Sequence, residues 1–427
     1  MTGRAQRTAV CLALAGGLLP AVAVPAAAQG DPPPLPNSGQ NCIQAPTVTY
    51  EGTPWGQQLL APERIWDITE GKGIKVAVVD TGVDARTPQL AGKVLPGADV
   101  MGGSANGPAA DDCFGHGTFV AGIIGASPVE GTGFTGVAPG VQIVPIRVAT
   151  GTEEQTGNTF TPAALARGIR AAVDSGAQVI NVSASSNAPD PQLADAVRYA
   201  AERDVSLIAS AANGAQKGDP VTYPASYPGV IAVGAIDSAG NHAAFSQTGP
   251  YLSLVAPGVD VVSTGPHGPG HWQGSGTSYA APFVAGTAAL VRAYHPELNA
   301  AQVKQRLEMT ASHPATALPD PALGWGTVNP TAAVSSVVNG EGGVGRTVVP
   351  PSPKPASARL EDDLGPRLAL LGGGAAVVVI LALVLVFRLG AAGNRRGWSP
   401  ARVVRVRPDR SETEPDAEQQ PVSTPSG

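Results

Sequence analysis

Residues 280–291, Ala280-Ala281-Pro282-Phe283-Val284-Ala285-Gly286-Thr287-Ala288-Ala289-Leu290-Val291, carry no charge and consist mostly of small apolar side chains. A helix that is apolar on every side has to be buried on every side. Its alanines and glycine leave little bulk, so neighbouring elements must approach closely. Pro282 is expected in the first turn, where its missing N–H costs nothing. A chain holding such a segment must therefore build layers around it. The run just before it, Gly276-Thr277-Ser278-Tyr279, places a serine hydroxyl at the mouth of that central helix.

Strand and helix signals alternate upstream. Residues 74–79 form an apolar run broken only by Lys75 and read as a buried parallel strand. Residues 117–124 read as a buried helix, and 141–148 as a strand. Thr161 caps a helix with Pro162 at its first position and Leu165, Ile169 and Val173 on one face. Residues 179–183 are the next strand, 191–202 a helix, 205–209 and 230–235 strands, and 301–310 a closing helix. Residues 55–68 read as one short helix. This alternation predicts an α/β fold with a parallel sheet covered by helices on both faces. Residues 149–160 are long and polar for a connection and read as a surface loop.

Four residues in this frame carry chemistry. Asp80 ends the first strand, where open α/β sheets place their sites. His116 lies in Gly115-His116-Gly117-Thr118, Asn213 follows a strand in Ala212-Asn213-Gly214, and Ser278 opens the central helix. A serine hydroxyl becomes nucleophilic when a base takes its proton, and imidazole suits that role. A carboxylate then orients the imidazole. The helix N-terminus and the Ser278 N–H favour a developing oxyanion, and the Asn213 amide can donate to the same charge. Each residue alone has a plain reading: Asp80 as a cap, His116 as a solvated loop residue, Asn213 as a turn, Ser278 as an N-cap. All four plain readings would have to coincide. His242, His267, His271, His295 and His313 receive no role.

In residues 74–335 these motifs, with Asp80-Thr81-Gly82, Val120-Ala121-Gly122 and Ala280-Ala281-Pro282, resemble the subtilisin family of serine proteases, whose chain order is Asp, His, Ser. The resemblance implies Asp80, His116 and Ser278 as the catalytic triad and Asn213 as oxyanion donor. It also implies a substrate strand paired beside Ser183, Ala184 and Ser185. Ser185 and Ser186 stand where the family commonly has glycine, so the specificity pocket is expected to differ in shape.

The ends of the chain are equally specific. Arg4 and Arg7 precede an apolar run and Ala26-Ala27-Ala28, which reads as a secretory signal peptide over 1–28; an N-terminal anchor is the alternative. Residues 368–387 are apolar for about 20 positions, enough to span a bilayer. Seven arginines from Arg388 to Arg410 follow, and Glu361, Asp362 and Asp363 precede. The positive side stays cytoplasmic, so the catalytic region is expected outside the plasma membrane and the basic tail, 388–427, inside. Residues 336–367 form a Gly- and Pro-rich linker.

Residues 29–73 are Pro-rich and too short for a folded pro-domain; they are expected to form a strap on the catalytic domain, with an inhibitory segment as the alternative. Cys11 leaves with the signal peptide. Cys42 and Cys113 remain in an oxidising compartment and are expected to pair, tying the strap to the His116 loop; two free thiols are the alternative. The whole layout resembles the mycosins, membrane-anchored subtilisin-like proteases of type VII secretion systems. This chain has no cysteines left for the second disulfide that many mycosins carry, so a looser loop is expected there.

Net charge is −6 and charged residues are 14% of the chain, which does not favour nucleic acid as a partner. No zinc-type Cys/His spacing and no phosphate-binding Gly-Lys-Ser/Thr loop is present. The expected partners are a protein or peptide substrate, secretion membrane components and the membrane itself; no metal or cofactor is expected. A different class of reading makes the chain mainly a structural component of the secretion complex, with proteolysis secondary.

Overall fold

The computed structural model describes residues 31–36, 41–102, 107–151 and 160–338. The predicted signal peptide, membrane span and basic tail, most of the linker and most of the 149–160 loop lie outside the described residues. Among the described residues no helix is long and apolar enough to cross a membrane.

Seven strands form a parallel sheet in the order β2-β3-β1-β4-β5-β6-β7. They are β1 (Lys75–Asp80), β2 (Ala98–Asp99), β3 (Gln142–Arg147), β4 (Val179–Val182), β5 (Ser206–Ser210), β6 (Ile231–Ile236) and β7 (Leu252–Pro257). β1 pairs with β3 on one side and β4 on the other. The chain thus runs outward from β1, returns, and continues in the other direction, so Asp80 ends the strand at the topological switch point. A separate antiparallel pair joins β8 (Val261–Thr264) to β9 (His271–Gly274).

The period-2 geometry of β1 sorts the core. Val76 and Val78 belong to the cluster containing α2 (His116–Gly125) and α5 (Thr277–Tyr294). Ala77 and Val79 belong to the opposite cluster, with α3 (Pro162–Asp174) and α4 (Pro191–Glu202). Asp80 shares parity with Val76 and Val78. Its carboxylate is therefore delivered to the face where the helices bearing His116 and Ser278 begin. Each fully buried Val or Ile in these layers contributes about 1.5–3 kcal/mol relative to exposure.

α3 starts as its sequence predicts, with Thr161 Oγ1 accepting from Ala164 N. Asp190 caps α4 in the same way, and Asn299 with Gln302 makes a capping box at α6 (Ala300–Met309). α7 (Pro330–Ser335) ends the described helices.

Two expectations are corrected. The helix expected over 55–68 breaks: α1 (Trp55–Leu60) stops at Ala61, which is left-handed at φ 44°, and Pro62 opens a 3-10 turn. Proline disfavours the α conformation in the residue before it. The central helix starts earlier than 280, at Thr277, so Pro282 lies inside it rather than in its first turn. An ordinary residue there would donate to the Ser278 carbonyl one turn back. Proline cannot, and that carbonyl instead accepts from Ser183 Oγ at 2.8 Å.

The strap is laced to the hairpin. Leu35 N donates to Gln273 O at 2.8 Å, Gln273 N to Pro33 O at 2.9 Å, and His271 N to Val48 O at 2.7 Å. Cys42 and Cys113 form a disulfide, and Ile43 N donates to Cys113 O at 2.9 Å beside it.

Candidate active site

Asp80 and His116 are nearly inaccessible, at 1% and 2% exposure. His116 Nδ1 lies 2.7 Å from Asp80 Oδ1 and 2.9 Å from Oδ2. Thr81 N also donates to Asp80 Oδ1 at 2.8 Å. The carboxylate thus holds the Nδ1 position of the ring as a donor.

The residue after Ser278 packs against the helix start that carries His116. The Tyr279 ring lies 5.2 Å from the His116 ring and 4.6 Å from Phe119. The first turn of α5 thus docks on the first turn of α2. Close packing continues along the pair, where a Cβ on Gly286 would meet Val137 at 2.7 Å and Ile124 O at 3.3 Å.

Asn213 sits at the mouth of β5 with a fixed amide. Its Oδ1 accepts from Thr277 N at 2.9 Å and Thr277 Oγ1 at 3.0 Å, which leaves the NH₂ end pointing elsewhere. Gly276 shows where. A Cβ on Gly276 would stand 3.1 Å from Ser278 Oγ and 3.3 Å from Asn213 Nδ2. The bare glycine face is therefore the space shared by the hydroxyl and the amide donor, where an oxyanion would form. Ala212, just before Asn213, takes φ 77°, a left-handed conformation that costs a non-glycine residue about 1–2 kcal/mol. Such strain is found at functional sites where surrounding structure enforces it; here Gln247 N donates to Ala212 O at 3.1 Å.

Ser183, Ala184 and Ser185 continue β4 past its last ladder partner. Outside the regular ladders, no backbone hydrogen bond among the described residues uses their N–H or C=O groups. The segment is closed beyond by paired bonds between Ser186 and Tyr223. An incoming strand could pair with these groups. The Ser183 side chain is otherwise engaged: it donates to Ser278 O and accepts from Asn181 Nδ2 at 2.8 Å.

Asp112, Thr81, Thr118, Asn181 and Tyr279 fasten these groups, a role that their places in the sequence do not announce. One signal was present: a helix beginning Gly115-His116-Gly117 has no side chain at its N-cap, so a polar group from elsewhere must serve its first N–H groups.

Comparison with known proteins gives the family of the chain. The subtilase family model matches residues 71–326. Mycosin-4 of Mycobacterium tuberculosis is 35% identical over 454 residues, covering 92% of this chain and 97% of that protein. Subtilisin DY of Bacillus licheniformis is 38% identical over 263 residues, 61% of this chain and 92% of the relative. Among solved structures, that of the MycP3 protease from the type VII (ESX-3) secretion system superposes with a TM-score of 0.62 at 31% identity, covering 72% of this chain and 98% of that one.

Proposed function

This chain belongs to the subtilase family of serine endopeptidases, in its mycosin group, and on that premise we propose that it cuts peptide bonds with Asp80, His116 and Ser278 as its triad. The observation that carries the reading is the buried Asp80–His116 pair facing the helix start that bears Ser278.

A peptide adds as a strand beside Ser183–Ser185, its carbonyl carbon above Ser278 Oγ. The hydroxyl attacks as His116 Nε2 takes its proton, and Asp80 stabilises the imidazolium. Negative charge on the carbonyl oxygen moves into the space beside Gly276, where Asn213 Nδ2 and the Ser278 N–H donate. His116 returns the proton to the leaving amine, and water repeats the sequence on the acyl-enzyme. Ser278→Ala should abolish hydrolysis of a peptide library by the full chain; unchanged cleavage would refute the triad.

The proposal extends to place. A signal peptide over 1–28 and a span over 368–387 anchor the catalytic domain outside the plasma membrane, with the strap kept on it. The relatives named as mycosins and as a type VII secretion protease support a role in such a system for this chain, acting on protein substrates. Secretion measured in Ser278→Ala beside a complete deletion tests this. Loss in both makes cleavage the function; loss in the deletion alone makes the protein mainly a structural component of the secretion complex.

A further inference from the structure

Asp112 is completely buried, and among the described residues the groups that donate to it are hydroxyls and backbone N–H groups. Its Oδ1 accepts from Thr81 Oγ1 at 3.0 Å, Phe114 N at 3.1 Å and Gly115 N at 2.9 Å. Its Oδ2 accepts from Thr118 N at 2.8 Å and Thr118 Oγ1 at 2.7 Å. The Thr81 hydroxyl, having donated to Asp112, accepts from Gly117 N at 3.0 Å. A protonated or amide side chain would turn a hydrogen toward one of these donors, so the arrangement suits the carboxylate.

These partners lie on the two segments that must be aligned for catalysis. Thr81 follows Asp80 directly. Gly115, Gly117 and Thr118 surround His116 at the start of α2. The N-cap, Gly115, has no side chain to offer, and none can be added: its φ is 83° and a Cβ would fall 2.3 Å from Ile43 Cδ1 of the strap. The first-turn N–H groups are therefore served from a distance, Thr118 N by Asp112 and Gly117 N by Thr81. The two backbones are also in contact, since a Cβ on Gly117 would fall 2.0 Å from Gly82 O and 3.2 Å from Asp80 Cβ.

We propose that Asp112 is a positioning residue of the proton relay: one buried carboxylate clamps the turn after Asp80 to the helix start carrying His116, and so sets the Asp80–His116 alignment. This rests on the triad assignment above. Burial pushes the Asp112 carboxyl above its ordinary pKa, against the pull of the Thr118 and Gly115 donors; the charge of Asp80 pushes the same way.

The charged and titratable groups around the relay come from several elements. Asp80 comes from β1 and Asp112 from the loop before α2. Asp84 reaches Thr118 through its backbone N–H and is itself paired with Arg86. His267 packs on Asp84. Arg147 of β3 holds Thr81 O, Asp99 and Asp111. Tyr279 comes from α5. Removing the Asp112 charge removes an anion from the imidazolium's surroundings, and loosening the clamp weakens the Asp80 contact. Both effects lower the basicity of His116.

The experiment follows the labelling rate of Ser278 in the full-length, detergent-solubilised protein by a fluorophosphonate probe, over pH about 5 to 9. Asp112→Asn is expected to slow labelling about ten-fold and to lower its pH midpoint by about half a unit. Thr81→Val should move the midpoint the same way by less, and Thr81→Ser should restore it. Asp111→Asn, an exposed neighbour, should leave it in place. A folded Asp112→Asn with wild-type rate and midpoint overturns the proposal, whatever its melting temperature. If that variant does not fold, Thr81→Val decides: an unshifted midpoint overturns the clamp, and a lowered one recovered by Thr81→Ser supports it. Wild-type protein that fails to label, or labelling that persists in Ser278→Ala, refutes the triad instead.

Discussion

Two buried histidines in this molecule face opposite demands. His116 is held through Nδ1 by a carboxylate. His271, fully buried in β9, is held by amides: Tyr50 N donates to its Nδ1 at 3.1 Å, and its Nε2 lies 3.0 Å from Gln89 Oε1. Gln89 cannot turn round, because its Nε2 donates to Ser127 O and Phe134 O. His271 is therefore the neutral tautomer with hydrogen on Nε2, and burial lowers its pKa to about 4. In the proposed reaction the first imidazole accepts a proton; the other is arranged never to carry the second proton. The partner atom, more than burial, separates the histidine proposed as the base from the stapling one.

That contrast breaks first at the carboxylate. Asp80→Asn should lower peptide hydrolysis on the order of 10⁴-fold while the melting temperature stays near wild type, because the amide no longer stabilises an imidazolium. His271→Ala should do the reverse, lowering the melting temperature and leaving activity per folded molecule close to normal. Activity and calorimetry on both variants separate the two roles.

A smaller loss tests the oxyanion side of the same site. Asn213→Ala should cost about 3 kcal/mol of transition-state stabilisation, a magnitude taken from the equivalent loss in subtilisin, a relative of this chain. The loss should appear in kcat rather than KM.

Acid sharpens the comparison without mutation. His271 binds its extra proton at pH about 4 when folded and at 6.5 when unfolded. Between those values the unfolded chain carries more protons, so folded stability falls as pH drops through that window. The full loss is about 3 kcal/mol. Denaturant unfolding from pH 7 to 4 should show this slope in wild type and a shallower one in His271→Gln.

The smallest expected effect is at Gly276. A methyl group there would crowd Ser278 Oγ and Asn213 Nδ2, so Gly276→Ala should reduce kcat about ten-fold, an estimate for a hindered oxyanion space, with stability little changed.

How much was legible in advance differs between the same two histidines. His116 announced itself through its Gly-rich motif and through Asp80 and Ser278 at fitting places in an alternating pattern. Nothing local marks His271; its role depends on Tyr50 and Gln89, both far away in sequence. The strand β7 and the β8–β9 hairpin were likewise absent from the sequence reading, although β7 is buried throughout. Thr161 and Pro162 marked the start of α3 to the residue, because a cap and a proline are local signals. At Ala61 the break is visible in sequence only through the proline that follows it, since an alanine carries no turn signal of its own.

The sequence by itself determined the layered α/β architecture, the residue types of the proposed site and the pairing open to Cys42 and Cys113, since periodicity, motif chemistry and cysteine arithmetic are properties of order along the chain. Only the tertiary structure decided that Asp112 serves two segments at once, that Ser183 answers the carbonyl freed by Pro282, and that His271 stays neutral. Those are meetings between groups distant in sequence, and hydrogen-bond geometry and burial exist only once the chain has brought them together.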